Sequence, residues 1–219
     1  MKHKAVEKLY TEKASLYYWV FIKFFQYENG LRNFFKTNQY LRQNDKVLDA
    51  GCGSGVLIKV LYRVAKTHKL KGIRFHGFDL TQAMLDMFIK WIDIEKPNNI
   101  TLKKANVLKL DDQLPDDWKN YDLIVSSAML EYIPKSEVEK ALHDLNKLIK
   151  EDGIFCLFIT KKNFLMSLLI KWWWKANIYE KEEIREKLKD AGFNDIRFRK
   201  FQFPYNYINC WGFAIEAKK

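Results

Sequence analysis

Apolar positions along the chain change their period several times, and each change predicts an element. Over residues 5–42 they recur at helical spacing (Val20, Phe21 and Phe24, then Leu31, Phe34 and Phe35), and Gly30 is expected to break this preface into two helices. "KVLDAG" then reads as a short apolar strand. "GVLIKVLYRVAKTHK" returns to helical spacing through Leu57, Val60, Leu61 and Val64. "IRFHGFDL" is the next strand, followed by a helix from about Thr81, its N-cap, to Asp93. "ITLKKANV" alternates as a strand does, and "YDLIVSSAML" is an apolar run of buried-strand type. "SEVEKALHDLNKLIK" is an amphipathic helix that Gly153 should end before the strand "IFCLFIT". After an insert come a helix, "EKEEIREKLKDAG", and two strands, "IRFRKFQF" and "YINCWGFAIEAK".

Repeated strand–helix alternation predicts an α/β fold, a doubly wound, Rossmann-like sheet that is mostly parallel and covered on both faces. Only a few residues around Pro204 join the last two strands, too few for a crossover helix. They should therefore form an antiparallel C-terminal hairpin. The absence of repeats or Pro/Gly-rich linkers predicts a single domain over 1–219. Its parts are a helical preface (1–42), a core (43–160), an apolar insert (161–178) and a C-terminal helix and hairpin (179–219).

Composition adds little to this picture. The net charge of +11 would suit an anionic partner, but the lysines are scattered singly or in pairs, which argues for a solvated surface and against nucleic acid. Cys52, Cys156 and Cys210 are odd in number, far apart and form no CxxC pair, so neither a disulfide framework nor a metal site is expected. No apolar run is long enough to span a membrane, and no signal peptide is recognised; a cytoplasmic location is expected.

The candidate chemistry sits at the strand ends. Gly51, Gly53 and Gly55 form the turn after the first strand, where a ligand can lie against bare backbone and meet its N–H groups. The spacing departs from a dinucleotide fingerprint, and Asp49 beside the turn suits a ligand carrying positive charge. Asp79 ends the second strand, where a carboxylate can accept both ribose hydroxyls, and Asn106 ends the third, where an amide can bond an adenine edge. Ribose, adenine and a cationic amino-acid end together describe S-adenosylmethionine.

"VLDAGCGSG", "GFDLTQAML", "KANVLKL" and "YDLIVSSAMLEYIP" resemble, in order, the signatures of class I S-adenosylmethionine-dependent methyltransferases, and among these the small-molecule and lipid-modifying branch. The resemblance covers residues 45–160. It implies that the backbones of Gly51, Cys52 and Gly53 line the methionine part of the cofactor, with Asp49 orienting the loop and the ligand amine. It implies Asp79 on the ribose, Leu80 and Met84 against the adenine, Asn106 Oδ1 on the adenine amino group and Val107 N–H on the ring. Ser126, with Ser127 as the alternative, would lie below the sulfonium, and Tyr10 and Tyr17 would cover the cofactor unless they serve only as aromatic packing.

Glu131 and Tyr132 align with a Glu-His pair of quinone-type O-methyltransferases and are the candidates for catalysis. Ala128 and Tyr132 replace the glutamate and histidine of that pattern, so no metal is expected; the competing reading has Glu131 starting a surface turn before Pro134. "SSAM" stands where an Asn/Asp-Pro-Pro-Tyr motif of nucleobase methylation would be. The insert "NFLMSLLIKWWWKAN" predicts a helix that is apolar over most of its circumference, acting either as a roof over an acceptor pocket or as a peripheral membrane contact through 164–174. Trp172, Trp173 and Met129 are the acceptor-side candidates. The expected function is methyl transfer to an apolar or amphipathic small molecule or lipid, on O or N. The alternatives are a protein or RNA methyltransferase and a cofactor-binding partner subunit without catalysis.

Overall fold

The computed structural model describes residues 26–163 and 176–219. Four of the five residues of strand β1 (Lys46–Ala50) are buried, as befits a strand covered on both faces. It pairs in parallel with β2 (Arg74–Asp79) on one side and β4 (Tyr121–Ser127) on the other, and β3 (Ile100–Lys104) extends the sheet beyond β2. Strand β5 (Ile149–Thr160) follows β4 in parallel, and β7 (Gly212–Lys218) lies antiparallel between β5 and β6 (Asn194–Arg199). The resulting order, β3-β2-β1-β4-β5-β7-β6, reverses direction at β1/β4. That reversal is the switch point at which open sheets bind ligands.

Side-chain alternation divides the core in two. Val47, Leu123, Val125, Cys156 and Phe158 face the helices α1 (Tyr27–Asn38), α2 (Val56–Thr67) and α3 (Gln82–Glu95). Leu48, Ile124, Phe155 and Leu157 point the opposite way, onto α5 (Val138–Leu148) and α6 (Lys181–Asp190). The short helix α4 (Leu110–Gln113) follows β3.

The fold agrees with the expected sheet and its antiparallel end, with three local departures. Gly30 does not separate two helices; it lies inside α1, where an added Cβ would come within 2.3 Å of Ile208 Cδ1, so the glycine serves close packing. Nor does Gly153 end a helix: α5 stops at Leu148 with Ile149 already extended. Gly153 is part of β5, where a Cβ would approach the carbonyl oxygens of Lys150 and Tyr121 to 2.9 Å. The link between β6 and β7 is longer than expected. Asn209 donates to Phe201 O and accepts from Phe201 N, folding 200–211 into a pinned loop with a 3-10 turn at Asn206–Cys210, so β7 starts only at Gly212.

Candidate active site

The turn after β1 is built on the neighbouring strand. Gly51 and Cys52 both donate their N–H to Phe78 O at 2.9 Å, and Gly53 N donates to Asp79 Oδ2 at 2.9 Å. Gly51 has φ +73°, and a Cβ there would fall 2.7 Å from Met129 Cβ and Cγ. The glycine thus permits the left-handed turn and lets Met129, two residues past β4, close over it. Asp79 Oδ1 accepts from Thr81 N at 2.8 Å. Asp79 therefore joins the loops after β1 and β2, a structural duty beyond the ribose contact expected of it. Thr81 occupies the N-cap position of α3, but its side chain does not cap the helix.

These loops open into a cleft lined by Asp49, Gly51, Cys52, Gly53 and Asp79 on one side and by Leu80, Met84, Asn106 and Val107 on another. Asp49 is 1% exposed, and neither of its oxygens makes a well-formed hydrogen bond among the described residues, although the Ile58 N–H in the first turn of α2 reaches toward it. Burial, and then the Asp79 charge, push its pKa well above the ordinary carboxylate value; the Ile58 N–H offsets this only in part. A buried carboxyl at the cleft, beside a second carboxylate and without a counter-ion among the described residues, calls for a cationic ligand group. Asn106 Oδ1 is partly engaged, accepting from Leu108 N at 3.0 Å, while its backbone N–H donates to Gln113 Oε1.

The wall beyond β4 corrects two expectations. Ser126 is fully buried, and its hydroxyl donates to Ala50 O at 2.8 Å, bracing β4 on β1. Alternation along the strand turns Ser127 to the cleft instead, where its Oγ lies 2.9 Å from the Tyr27 hydroxyl. Glu131 neither starts a surface turn nor lines the cleft. It is 3% exposed, and its Oε1 accepts from Thr160 N at 2.9 Å and Thr160 Oγ1 at 3.0 Å, while its backbone oxygen accepts from Asn177 N. Burial raises its pKa to about 7 against these stabilising bonds. It fastens the ends of β5 and of the returning chain behind the wall that Met129 and Tyr132 present to the cleft.

Tyr10, Tyr17, Trp172 and Trp173 lie outside the described residues. Tyr27 and Leu31 of α1 line the cleft and are not among the site residues expected from the sequence, although Leu31 belongs to the helical stripe, and Tyr27, Leu31 and Phe34 share an i, i+4, i+7 face. Of the histidines, His76 stacks on Trp118 and bonds Tyr121, and burial lowers its pKa to about 4.

A glycine turn at the switch point, with carboxylates ending β1 and β2 and an antiparallel final strand pair, is the architecture of class I S-adenosylmethionine-dependent methyltransferases. Residues 24–197 match the family described as "Methyltransferase domain", and the chain belongs to that family. An uncharacterized protein of Rickettsia prowazekii is 30% identical over 129 residues, 58% of this chain and 48% of that protein. Ribosomal protein L11 methyltransferase of Thermosipho melanesiensis is 31% identical over 133 residues, 60% of this chain and 45% of that one. The chain thus spans about half the length of these curated relatives. Among solved structures, magnesium protoporphyrin IX methyltransferase of Synechocystis with bound S-adenosylmethionine has a TM-score of 0.70 at 16% identity, covering 100% of this chain and 97% of that one. Phosphoethanolamine N-methyltransferase 2 of Haemonchus contortus has 0.64 at 14% identity, covering 86% and 52%. At such identities these two likenesses speak for the fold.

Proposed function

We propose that this chain binds S-adenosylmethionine in the β1–β4 cleft and transfers its methyl group to an apolar or amphipathic small molecule. The observation that carries the reading is Asp49, a buried carboxyl without a counter-ion or a well-formed hydrogen bond among the described residues, at the foot of a bare glycine turn. When bound, the cofactor supplies an activated methyl on a cationic sulfur, and its ammonium group matches the charge that Asp49 lacks. Asp79, already oriented by Gly53 N and Thr81 N, keeps lone pairs for ribose hydroxyls. Met84, Leu80 and Val107 supply an apolar slot suited to a purine.

Across from these groups, Leu31, Met129 and Ile133 give the cleft an apolar wall, and Tyr27, Ser127 and Tyr132 its polar points. Such a wall excludes water and positions an apolar acceptor, which accounts for much of the acceleration when the donor is already activated. Burial keeps the Tyr27 phenol protonated, so it acts as a hydrogen-bond donor or acceptor and not as a phenolate base. Glu131 contributes by holding the wall.

The test is turnover of radiolabelled cofactor with fractionated small metabolites and lipids. Label appearing in an organic-extractable small molecule supports the reading. Label appearing only in protein or RNA would replace the acceptor class, and cofactor binding without transfer in any fraction would leave a binding subunit.

A further inference from the structure

The loop 200–211 lies at the end of the sheet where β5 finishes, the same end at which the cleft opens after β1 and β4. Lys161 N, just past β5, donates to Trp211 O, and Asn163 Nδ2 donates to Cys210 O at 2.6 Å. Ile208 is buried against Gly30 of α1, the helix that brings Tyr27 and Leu31 to the cleft. The outward side of this loop is apolar and cationic. Phe203 is 84% exposed, and Tyr207, 37% exposed, has its ring 6.0 Å from that of Trp211. Residues 196–215 contain seven aromatic side chains, Arg197, Arg199 and Lys200, and no carboxylate. Asp195 and Glu216 pair with the two arginines, so the loop's outward charge rests on exposed Lys200 and on Lys161, whose ammonium reaches Asn209 O.

We infer that loop 200–211 docks the protein onto an anionic lipid surface, with the cleft's edge turned toward the bilayer. An exposed phenylalanine tip finds an apolar medium at the headgroup boundary, while neighbouring lysines meet anionic headgroups, and the chain's net charge of +11 adds attraction at longer range. A nucleic acid would instead call for a track of cations along a groove, and two lysines around an apolar tip do not form one. The proposal rests on the functional reading only in that an apolar acceptor could then be drawn from the same surface.

Partition is measured by co-sedimentation with phosphatidylcholine vesicles and with phosphatidylcholine–phosphatidylserine vesicles at roughly 7:3. The protein should bind the anionic vesicles and leave the neutral ones. Phe203→Ser with Lys200→Glu should weaken that partition by at least about tenfold with melting temperature and cofactor affinity unchanged. Ile94→Ser, a comparably exposed apolar site at the end of α3, should leave partition unchanged. Equal binding to neutral vesicles, no binding to either, or wild-type partition of the double variant would overturn the proposal, as would tight RNA binding that anionic vesicles do not displace. Cofactor affinity measured without vesicles separates the two readings: binding with no partition removes only the docking surface, and partition without cofactor binding removes only the functional reading.

Discussion

The two halves of the cleft are held in different ways. On the β1–β2–β3 side, each functional group is fixed by residues close to it in sequence or on the adjoining strand: Gly51 and Cys52 by Phe78, Asp79 by Gly53 and Thr81, Asn106 by Leu108. On the β4–β5 side the wall is assembled from distant parts of the chain. Tyr27 meets Ser127, and Glu131 clasps Thr160 and Asn177. The buried carboxyls embody the contrast: Asp49, with only a weak Ile58 N–H contact among the described residues, lines the cleft, whereas Glu131 does not line it and is clasped through Oε1 by Thr160, its Oε2 left without a bond among the described residues. One half is built to receive a ligand of fixed chemistry, and the other is a wall whose shape depends on long-range packing.

Gly51→Ala should damage both halves and so have the largest effect. Its side chain would occupy Met129's place, and φ +73° costs an L-residue about 1–2 kcal/mol before that clash is counted. Cofactor affinity should fall by more than about a hundredfold together with a lower melting temperature. Normal affinity would mean that Met129 and the turn are independent. Asp79→Ala should be confined to the first half. Losing a charged acceptor for two hydroxyls should weaken the cofactor by about 100–1000-fold, and stranding Gly53 N and Thr81 N should lower stability by about 1–3 kcal/mol. A variant with full stability would show that those two N–H groups find water instead.

How much of this was legible follows the same division. The glycine turn, Asp79 and Asn106 follow from motifs read in order because their partners are local or on the next strand. Of Ser126 and its alternative Ser127, the sequence favours the wrong one, since a one-residue step along a strand exchanges the cleft for the strand interior. For Glu131 the sequence offers a catalytic role or a surface turn and not the clasp, because its partners, Thr160 and Asn177, lie 29 and 46 residues away and no local pattern announces them. Gly30 was read as a break when the atom demanding it, Ile208 Cδ1, belongs to the distant 200–211 loop.

Smaller effects sharpen the second half. The pKa of Glu131 rises from 4.5 in the open chain to about 7 when folded, so the folded state binds more protons between those values. Its ionisation should therefore cost stability, on the order of 3 kcal/mol, as pH rises through that window, and the loss should level off above pH 7. Glu131→Gln keeps an acceptor for Thr160 and should flatten this part of the stability–pH curve. An unchanged slope in urea titrations would assign it to other groups. Tyr27→Phe should be the mildest change, removing one hydrogen bond worth about 1 kcal/mol and lowering acceptor turnover more than cofactor affinity. Equal loss of both would move Tyr27 to the cofactor half.

The central claim is that Asp49 awaits a cation, and calorimetric titration of S-adenosylmethionine in buffers of different ionisation enthalpy tests it most directly. With its pKa raised in the free protein, Asp49 is partly protonated at pH values below that pKa, and a cationic partner should drive it to ionise. Wild-type protein should therefore release protons on binding, more so as pH is lowered through the raised pKa, and its affinity should fall over the same range. Asp49→Asn should bind on the order of 100-fold more weakly, with proton release reduced to what Asp79 contributes. Wild-type affinity and undiminished proton release in Asp49→Asn would contradict the account.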